Sequence, residues 1–525
     1  MKLFCIFILS CFFSISLFAQ QPPVKDTSIP AKPPSVKDTI VPAKGNPVEQ
    51  LKEIKKEKNE LKDSVGGQPK KEATVDTTIN NKYGDLLTDD TAFNKKSHWL
   101  KPVAQIFGLN LLQVGVDKYF LKEDYARVGL TTWGDNLRGG WEWDTDRFGV
   151  NFIGHPYTGS MYFNAARSNG FNYVQSIPFA VGGSLMWEYF GEKTKPSYND
   201  IVNTPINGIF FGEIFYRLSS NILDDRSRGG ERVFREILAG LISPMRGFNR
   251  LMQGKTKRLL NKEVYQKEPL NITVNAGLHK INENQTFFGQ GPTNTMINVQ
   301  LDYGNPFEDR PRKPFDLFRL RTGFSFGVGR KILDHINGYG ILFGRNHQLG
   351  KLSMLIGAFQ YYDYWDNKSF ELGAIALGAG AFFKVPINKH TVFYTNLHLG
   401  AIPFAGNSTH FGPDTSQLRD YDFSGGLLTK LESSISLGKY VTASLLYHYY
   451  MLRTYVGIPG NNFIGILVPR ITIRLFDNLS VGIEQSGYAD NRRLDGTANI
   501  HSERTEQKIF LNFYLEDSQR KGRYK

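Results

Sequence analysis

Only two cysteines occur in the 525 residues, Cys5 and Cys11, both inside an apolar opening segment. Once that segment is removed, thiol nucleophiles, disulfides and Cys-ligated metal sites are excluded. No HExxH pair is present, and His155 has no second histidine nearby in sequence, so no metal or cofactor is expected. After the opening segment there is no uncharged apolar run of bilayer length, and the mean hydropathy is −0.33, which excludes a polytopic helical membrane protein. If the chain spans a membrane, it does so with strands. The net charge of +13 and pI near 9.3 would suit a polyanion. Zinc-finger spacings, RNP-like aromatics and recognition-helix signatures are all missing, so nucleic acid is excluded as a partner and lipid or lipopolysaccharide phosphate is left.

What is present begins with an export signal over 1–19: Lys2, an apolar run over 3–17 and Ala19 at the cleavage point. Residues 20–97 read as a disordered Pro/Lys-rich linker. An imperfect repeat over 22–44 is dense in proline and favours extended conformations, and 48–65 is a solvated Lys/Glu stretch. Such a linker can tether an envelope protein partner.

From 98 to 261 the apolar period is helical. Helices are predicted over 102–121, 160–168, 173–192 and 200–222, the last behind the capping run Pro196-Ser197-Tyr198-Asn199. Gly208 and Gly212 would let a second helix approach closely. Polar residues fall on stripes of these otherwise apolar helices: His155, Asn164, Arg167, Glu188, Glu192, Asp200, Asn203, Asn207, Glu213 and Arg217. In a bundle the stripes converge. A histidine, carboxylates and an arginine can perform acid–base work or bind an anionic head group. The same residues can instead form a buried network in which Arg167 or Arg217 neutralises Glu188, Glu213 or Asp200.

Residues 262–525 are read as the barrel: from about Leu270 the period is two, and twelve strands are predicted, near 270–280, 294–303, 316–329, 338–348, 351–362, 370–385, 391–402, 423–437, 440–452, 463–475, 479–487 and 506–516. Tight turns at Gly350-Lys351, Asn388-Lys389, Gly438-Lys439 and Asp477-Asn478 alternate with long connections at 403–422, 453–462 and 488–505. That alternation marks an outer-membrane β-barrel with its short turns in the periplasm. The connection 304–315 is long where the rule requires a short one. Aromatic clusters at Tyr361, Tyr362, Tyr364 and Trp365, and at Tyr447, Tyr449 and Tyr450, fit interfacial girdles.

The motifs HPYxGSxYFNAARSNG from His155, WEYFGE from Trp187, PSxND from Pro196 and the pair Gly212-Glu213 resemble a bacterial domain-of-unknown-function family, number 3943, over residues 100–230. The resemblance implies a Gram-negative envelope protein and no particular activity. The fold expected is therefore α+β and multidomain, with a helical domain followed by a transmembrane antiparallel barrel in the outer membrane. Three functions compete. The leading one is a binding or transport barrel whose helical domain plugs it or docks at the periplasmic mouth. The second is an envelope lipid- or glycan-modifying enzyme using the His155/Glu188/Asp200 cluster, or His398, His410 or His448 on the barrel. The third is a structural or assembly factor.

Overall fold

The last α-helix ends at Met252 and the first strand begins at Leu270, where the apolar period becomes two. The computed structural model describes residues 97–261, 263–282, 291–327, 332–367, 369–408, 421–496 and 498–516. The expected signal segment, nearly all of the expected linker, and His410 lie outside the described residues.

The described helices are α1 (Leu100–Val116), α2 (Leu130–Arg138), α3 (His155–Arg167), α4 (Tyr173–Phe190), α5 (Tyr198–Ile222), α6 (Gly229–Ile242) and α7 (Pro244–Met252). Four answer to the predicted segments; α2, α6 and α7 were not foreseen. The local chemistry sets the starts. Asn172 accepts a hydrogen bond from the Gln175 backbone N–H at 2.9 Å and opens α4, while the Ser197 hydroxyl accepts from the Asp200 N–H at 3.2 Å and opens α5. Helices α3 and α5 meet glycine to glycine. A Cβ on Gly208 would lie 2.4 Å from the Gly159 carbonyl carbon, and one on Gly159 would lie 1.9 Å from the Thr204 oxygen. No described helix is long and apolar enough to cross a membrane.

Twelve strands form one closed antiparallel barrel: β1 (Leu270–Ile281), β2 (Thr293–Tyr303), β3 (Phe318–Phe326), β4 (Leu333–Leu349), β5 (Leu352–Asp366), β6 (Glu371–Asn388), β7 (Thr391–Ser408), β8 (Asp422–Leu437), β9 (Val441–Val456), β10 (Gly460–Phe476), β11 (Leu479–Leu494) and β12 (Ile500–Leu515). Closure leaves no unpaired sheet edge, as hydrocarbon requires. The pairing of Ile272 with Leu515 places the first and last strand ends together, on the tight-turn side. The strands run further than predicted at the opposite end. Residues 403–408, 488–494 and 500–505 are strand, so the connections expected to be long at 453–462 and 488–505 shrink to a few residues. Polar residues on both faces there, such as Asp490, Arg492 and Arg493, hide the alternation on which the prediction relied.

Cross-barrel contacts identify the lumenal face. Arg319 and Arg321 on β3 reach Glu432 on β8 at 2.5 and 2.6 Å, and Lys430 on β8 reaches Asp363 on β5 at 2.7 Å. Tyr361 and Asp363 therefore point inward. Strand alternation makes Gln360, Tyr362 and Tyr364 point outward. These outward residues are buried, and their partners are helical: Gln360 donates to the Ile206 carbonyl at 2.9 Å, and Tyr362 donates to the Phe152 carbonyl. Phe148, Phe152, Phe210, Phe211, Ile214 and Leu218 pack with Tyr303, Phe318, Tyr362, Tyr364, Ile375, Phe404 and Phe423 in one apolar cluster.

The helices thus sit on the outer wall of the barrel, against β2 to β8, and not in its lumen or across its mouth as the leading sequence reading had it. This packing also corrects the girdle expectation. Tyr361 and Trp365 belong to the lumenal core, whereas Tyr362 and Tyr364 lie beneath the helices. The long connection between β2 and β3 has a structural reason as well, because Phe315 and Asp316 within it receive α5.

Gly208→Ala should force α3 and α5 apart. A cost of about 1–3 kcal/mol is expected in thermal melts of the helical signal, while the unheated protein still migrates faster than the boiled one on a gel. Unchanged melting would contradict the glycine contact.

Candidate functional site

The ten polar residues of the helical stripes separate into two groups, one at each end of α5. Near its start stand His155, Glu188, Glu192 and Asp200. Near its end stand Arg167, Glu213 and Arg217. Asn203 and Asn207 line the stretch between: Asn203 donates to the Asn151 carbonyl, and Asn207 donates to Asn203 Oδ1 at 2.6 Å. Asn164 donates to the Gly212 carbonyl at 3.0 Å and ties α3 to α5.

The first group is the candidate site. His155 opens α3 with its Nε2 3.4 Å from Asp146 Oδ2 and 3.5 Å from Asp200 Oδ1. Asn199 holds the neighbouring carboxylates by donating to Asp144 at 2.7 Å, to Asp200 at 3.0 Å and to the Asn151 side-chain oxygen at 3.0 Å. Glu188 accepts from the Ser197 N–H at 2.8 Å, and Ser197 Oγ donates to Asp144 at 3.0 Å. The barrel completes the group. Asn151 donates to the Tyr421 hydroxyl at 2.6 Å, and that hydroxyl donates to the Asp146 carbonyl at 2.9 Å. Asp144, Asp146, Asn151, Asn199 and Tyr421 were missed from sequence. The Asp-x-Asp spacing at Asp144 and Asp146 ahead of the histidine was the available signal.

Opposing forces set the protonation states. Burial alone would lower the His155 pKa, but its hydrogen bond to Asp146 and the charges of Asp146, Asp144 and Glu188 push it up to about 9. Burial raises Asp200, and the neighbouring Asp144 raises it further. Burial works against the Asp144 anion too, yet hydrogen bonds from Asp200 and Asn199 outweigh it and hold Asp144 below the usual carboxylate range. Burial, with the nearby Glu192, raises Glu188, and burial with Asp146 lifts Glu192 to about 7. A protonated imidazole and a neutral carboxyl therefore lie beside an ionised carboxylate, the proton donor and acceptor that general acid–base chemistry needs. His155 is largely buried, and Asp146, with about half of its side chain exposed at 46%, gives the cluster its opening to solvent. Trp143 packs over Phe423, and Trp141 and Trp143 each contact Tyr198, forming an aromatic collar at 5.1 to 5.9 Å between ring centres.

The second group is a closed ion ladder. Arg167 binds Glu213 through two nitrogens at 2.8 and 3.1 Å, Arg217 binds the same carboxylate at 2.9 Å, and Arg217 reaches Asp316 at 2.9 Å. The Glu213 carboxylate is thus held between two guanidinium groups. Sequence reasoning allowed Arg167 to neutralise Glu188, Glu213 or Asp200. In the structure its carboxylate partner is Glu213, and Glu188 belongs to the histidine cluster at the other end of the helix.

Residues 140–245 match a family model described as "Domain of unknown function (DUF3943)". No curated protein matches the chain. Among solved structures it is similar to the NanC porin at 9% identity, covering 47% of this chain and 100% of that one with a TM-score of 0.27. It is also similar to the outer membrane channel DcaP of Acinetobacter baumannii at 6% identity, covering 47% and 96% with a TM-score of 0.22. The anion-selective porin from Comamonas acidovorans is similar at 9% identity, covering 47% and 98%, again with a TM-score of 0.22. Likenesses this distant carry no argument about solute or mechanism, and the barrel rests on its own strand pairing.

Glu213→Gln should leave two buried guanidinium groups undercompensated and cost about 3–5 kcal/mol. Removing Arg167 together with Glu213 should cost less than the sum of the single changes. Glu188→Gln replaces a carboxyl already biased to its neutral form and should change stability by less than about 1 kcal/mol. Melts in which Glu188→Gln is the more damaging change would reverse the assignment.

The raised pKa values also set a pH dependence. His155 binds its proton more tightly folded than unfolded, so its contribution is fully present below its ordinary value of 6.5 and is lost as pH rises through about 9. Glu192 acts in the same direction, from 4.5 through about 7. Near-ultraviolet circular dichroism melts should therefore fall in midpoint across that span, and His155→Gln should flatten the upper part. A midpoint rising with pH would contradict these assignments.

Proposed function

We propose that this is an outer-membrane protein that works on the lipid phase of the membrane, with its barrel serving as the mount for the helices and not as a conduit. The observation that carries the reading is the burial of outward-facing Gln360, Tyr362, Tyr364 and Phe423 under helical residues, combined with a lumen crossed by ion pairs and packed with apolar side chains. Helix α5 has 25 residues, about 37 Å long, against a bilayer core of about 30 Å. It runs from the aromatic collar at the far ends of β7 and β8 to Asp316 on the tight-turn side, so the bundle lies along the wall at the depth of the bilayer. Its remaining surface suits lipid, because Phe107, Leu111, Phe120, Val174, Phe234 and Ile237 are all exposed. Helices satisfy their own backbone groups and tolerate hydrocarbon.

Tight turns face the periplasm in barrels of this kind. That orientation brings the chain into the helices from the periplasm, where the Ser97 N–H donates to the Asn169 carbonyl near the Arg167 end of α3. Residues 20–97 would then lie in the periplasm, within reach of an envelope partner. The His155 cluster would open at the outer leaflet, where head groups and the glycans of lipopolysaccharide are found. Acid–base chemistry on such a head group is the role the cluster fits best.

Two measurements test the reading. Planar bilayers containing the full chain should show no porin-like conductance steps; steady stepwise conductance would restore the transport function. Mass spectrometry of outer-membrane lipids should show one altered species shared by a deletion strain and a strain carrying His155→Ala, whose barrel remains heat-modifiable. Identical lipid profiles in wild type and deletion would reject a lipid-directed role.

A further inference from the structure

We infer that the lumen holds a second site, independent of the helices: a pocket lined mostly from the tight-turn side that binds a neutral, hydroxyl-rich ligand of the saccharide class. The observation is a cavity of about 440 Å³ lined mostly from the tight-turn halves of the strands, including Asn298, Arg319, Asn396, Ser434 and Arg470, and reaching His335 and Trp365 near the far ends of β4 and β5. That volume lies within the ~300–1,000 Å³ usual for small-molecule sites. Beside it aromatic rings and an ion pair narrow the lumen. Phe359 and Phe382 lie tilted against each other with ring centres 5.7 Å apart, Tyr339 meets Phe382 edge-on at 5.7 Å, and Lys430 bridges to Asp363.

The charges of the lining decide the ligand class. Arg319 pairs with Asp302 and Glu432, Arg321 with Glu432, Arg470 with Glu484, and Lys508 with Glu484 at 3.0 Å. Each of these cations already has a carboxylate, so a phosphate or carboxylate ligand would have to displace one. Paired guanidinium and carboxylate groups instead offer adjacent donors and acceptors, the arrangement that vicinal hydroxyls match on both sides. Asn396 supports this independently: it is buried, and its Oδ1 has no hydrogen-bond partner. A buried acceptor of that kind is costly unless a donor arrives. Tyr394 and Phe307, with ring centres 6.1 Å apart, add aromatic surface to the lining.

The test is isothermal titration of the detergent-solubilised full chain with maltose and with N,N′-diacetylchitobiose as neutral probes, and with inorganic phosphate as the charged one. At least one sugar should bind and phosphate should not. Asn298→Trp, which fills the cavity, should weaken sugar binding by about tenfold or more while the barrel keeps its heat-modifiable migration. Asn396→Ala, a smaller change, should weaken it less. Binding of phosphate in preference to both sugars would overturn the ligand class. Absence of binding by all three probes, or sugar binding unchanged in a folded Asn298→Trp barrel, would overturn the site.

Discussion

Each outward-facing side chain of a membrane strand must be covered, and what covers it decides what the molecule is. On most of this barrel the outward residues are apolar and exposed, as Ile471, Ile473, Ile483, Ile509 and Leu511 show. On the upper parts of β5 to β8 the covering is protein. Phe152 fills the space outside Gly373 and Gly406, where a Cβ would come within 2.3 and 2.4 Å of its ring. Those two glycines are what allow the helical unit to lie flat against the wall. The position of the polar cluster, its contact with Tyr421 and the path of α5 across the strands all depend on that seat.

Electrostatics divides the helical unit into two ends with different demands. At the tight-turn end, two guanidinium groups and two carboxylates alternate and cancel, which is the condition under which buried charge is tolerated. At the opposite end carboxylates outnumber cations, and the structure answers by keeping protons on His155 and Asp200. Balanced pairs hold the helices to the barrel. Imbalance with shared protons is a pattern typical of sites that exchange protons with a ligand, and here it coincides with a partly exposed edge.

Much of the fold was legible in the sequence because two-residue alternation and turn chemistry are local. Twelve strands, the tight turns and the shared side of the two barrel ends could all be read from Gly350-Lys351, Asn388-Lys389 and their equivalents. The outer-wall seat was not legible. An aromatic strand end such as Tyr361 to Trp365 reads the same whether its outward half meets lipid head groups or Phe152 and Phe210. The site residues on helices α3 to α5 were visible as polar positions on apolar stripes, but their division into two groups was not, because it depends on α3 and α5 running parallel from the same end. Asp144, Asn199, Asp316 and Tyr421 stand in loops or at element ends, where periodicity carries no information.

The central claim is that the helical unit lies in the membrane beside the barrel. The six tryptophans make it directly measurable. Trp99, Trp133, Trp141, Trp143 and Trp187 belong to the helical unit, while Trp365 is buried in the lumen, stacked on His335 at 4.8 Å. Reconstituting the full chain in vesicles of brominated phospholipid and recording tryptophan emission therefore reports where the helices sit. Strong quenching relative to unbrominated vesicles is the predicted result. Emission unaffected by bromine, with the barrel inserted, would place the helices in water and contradict the account.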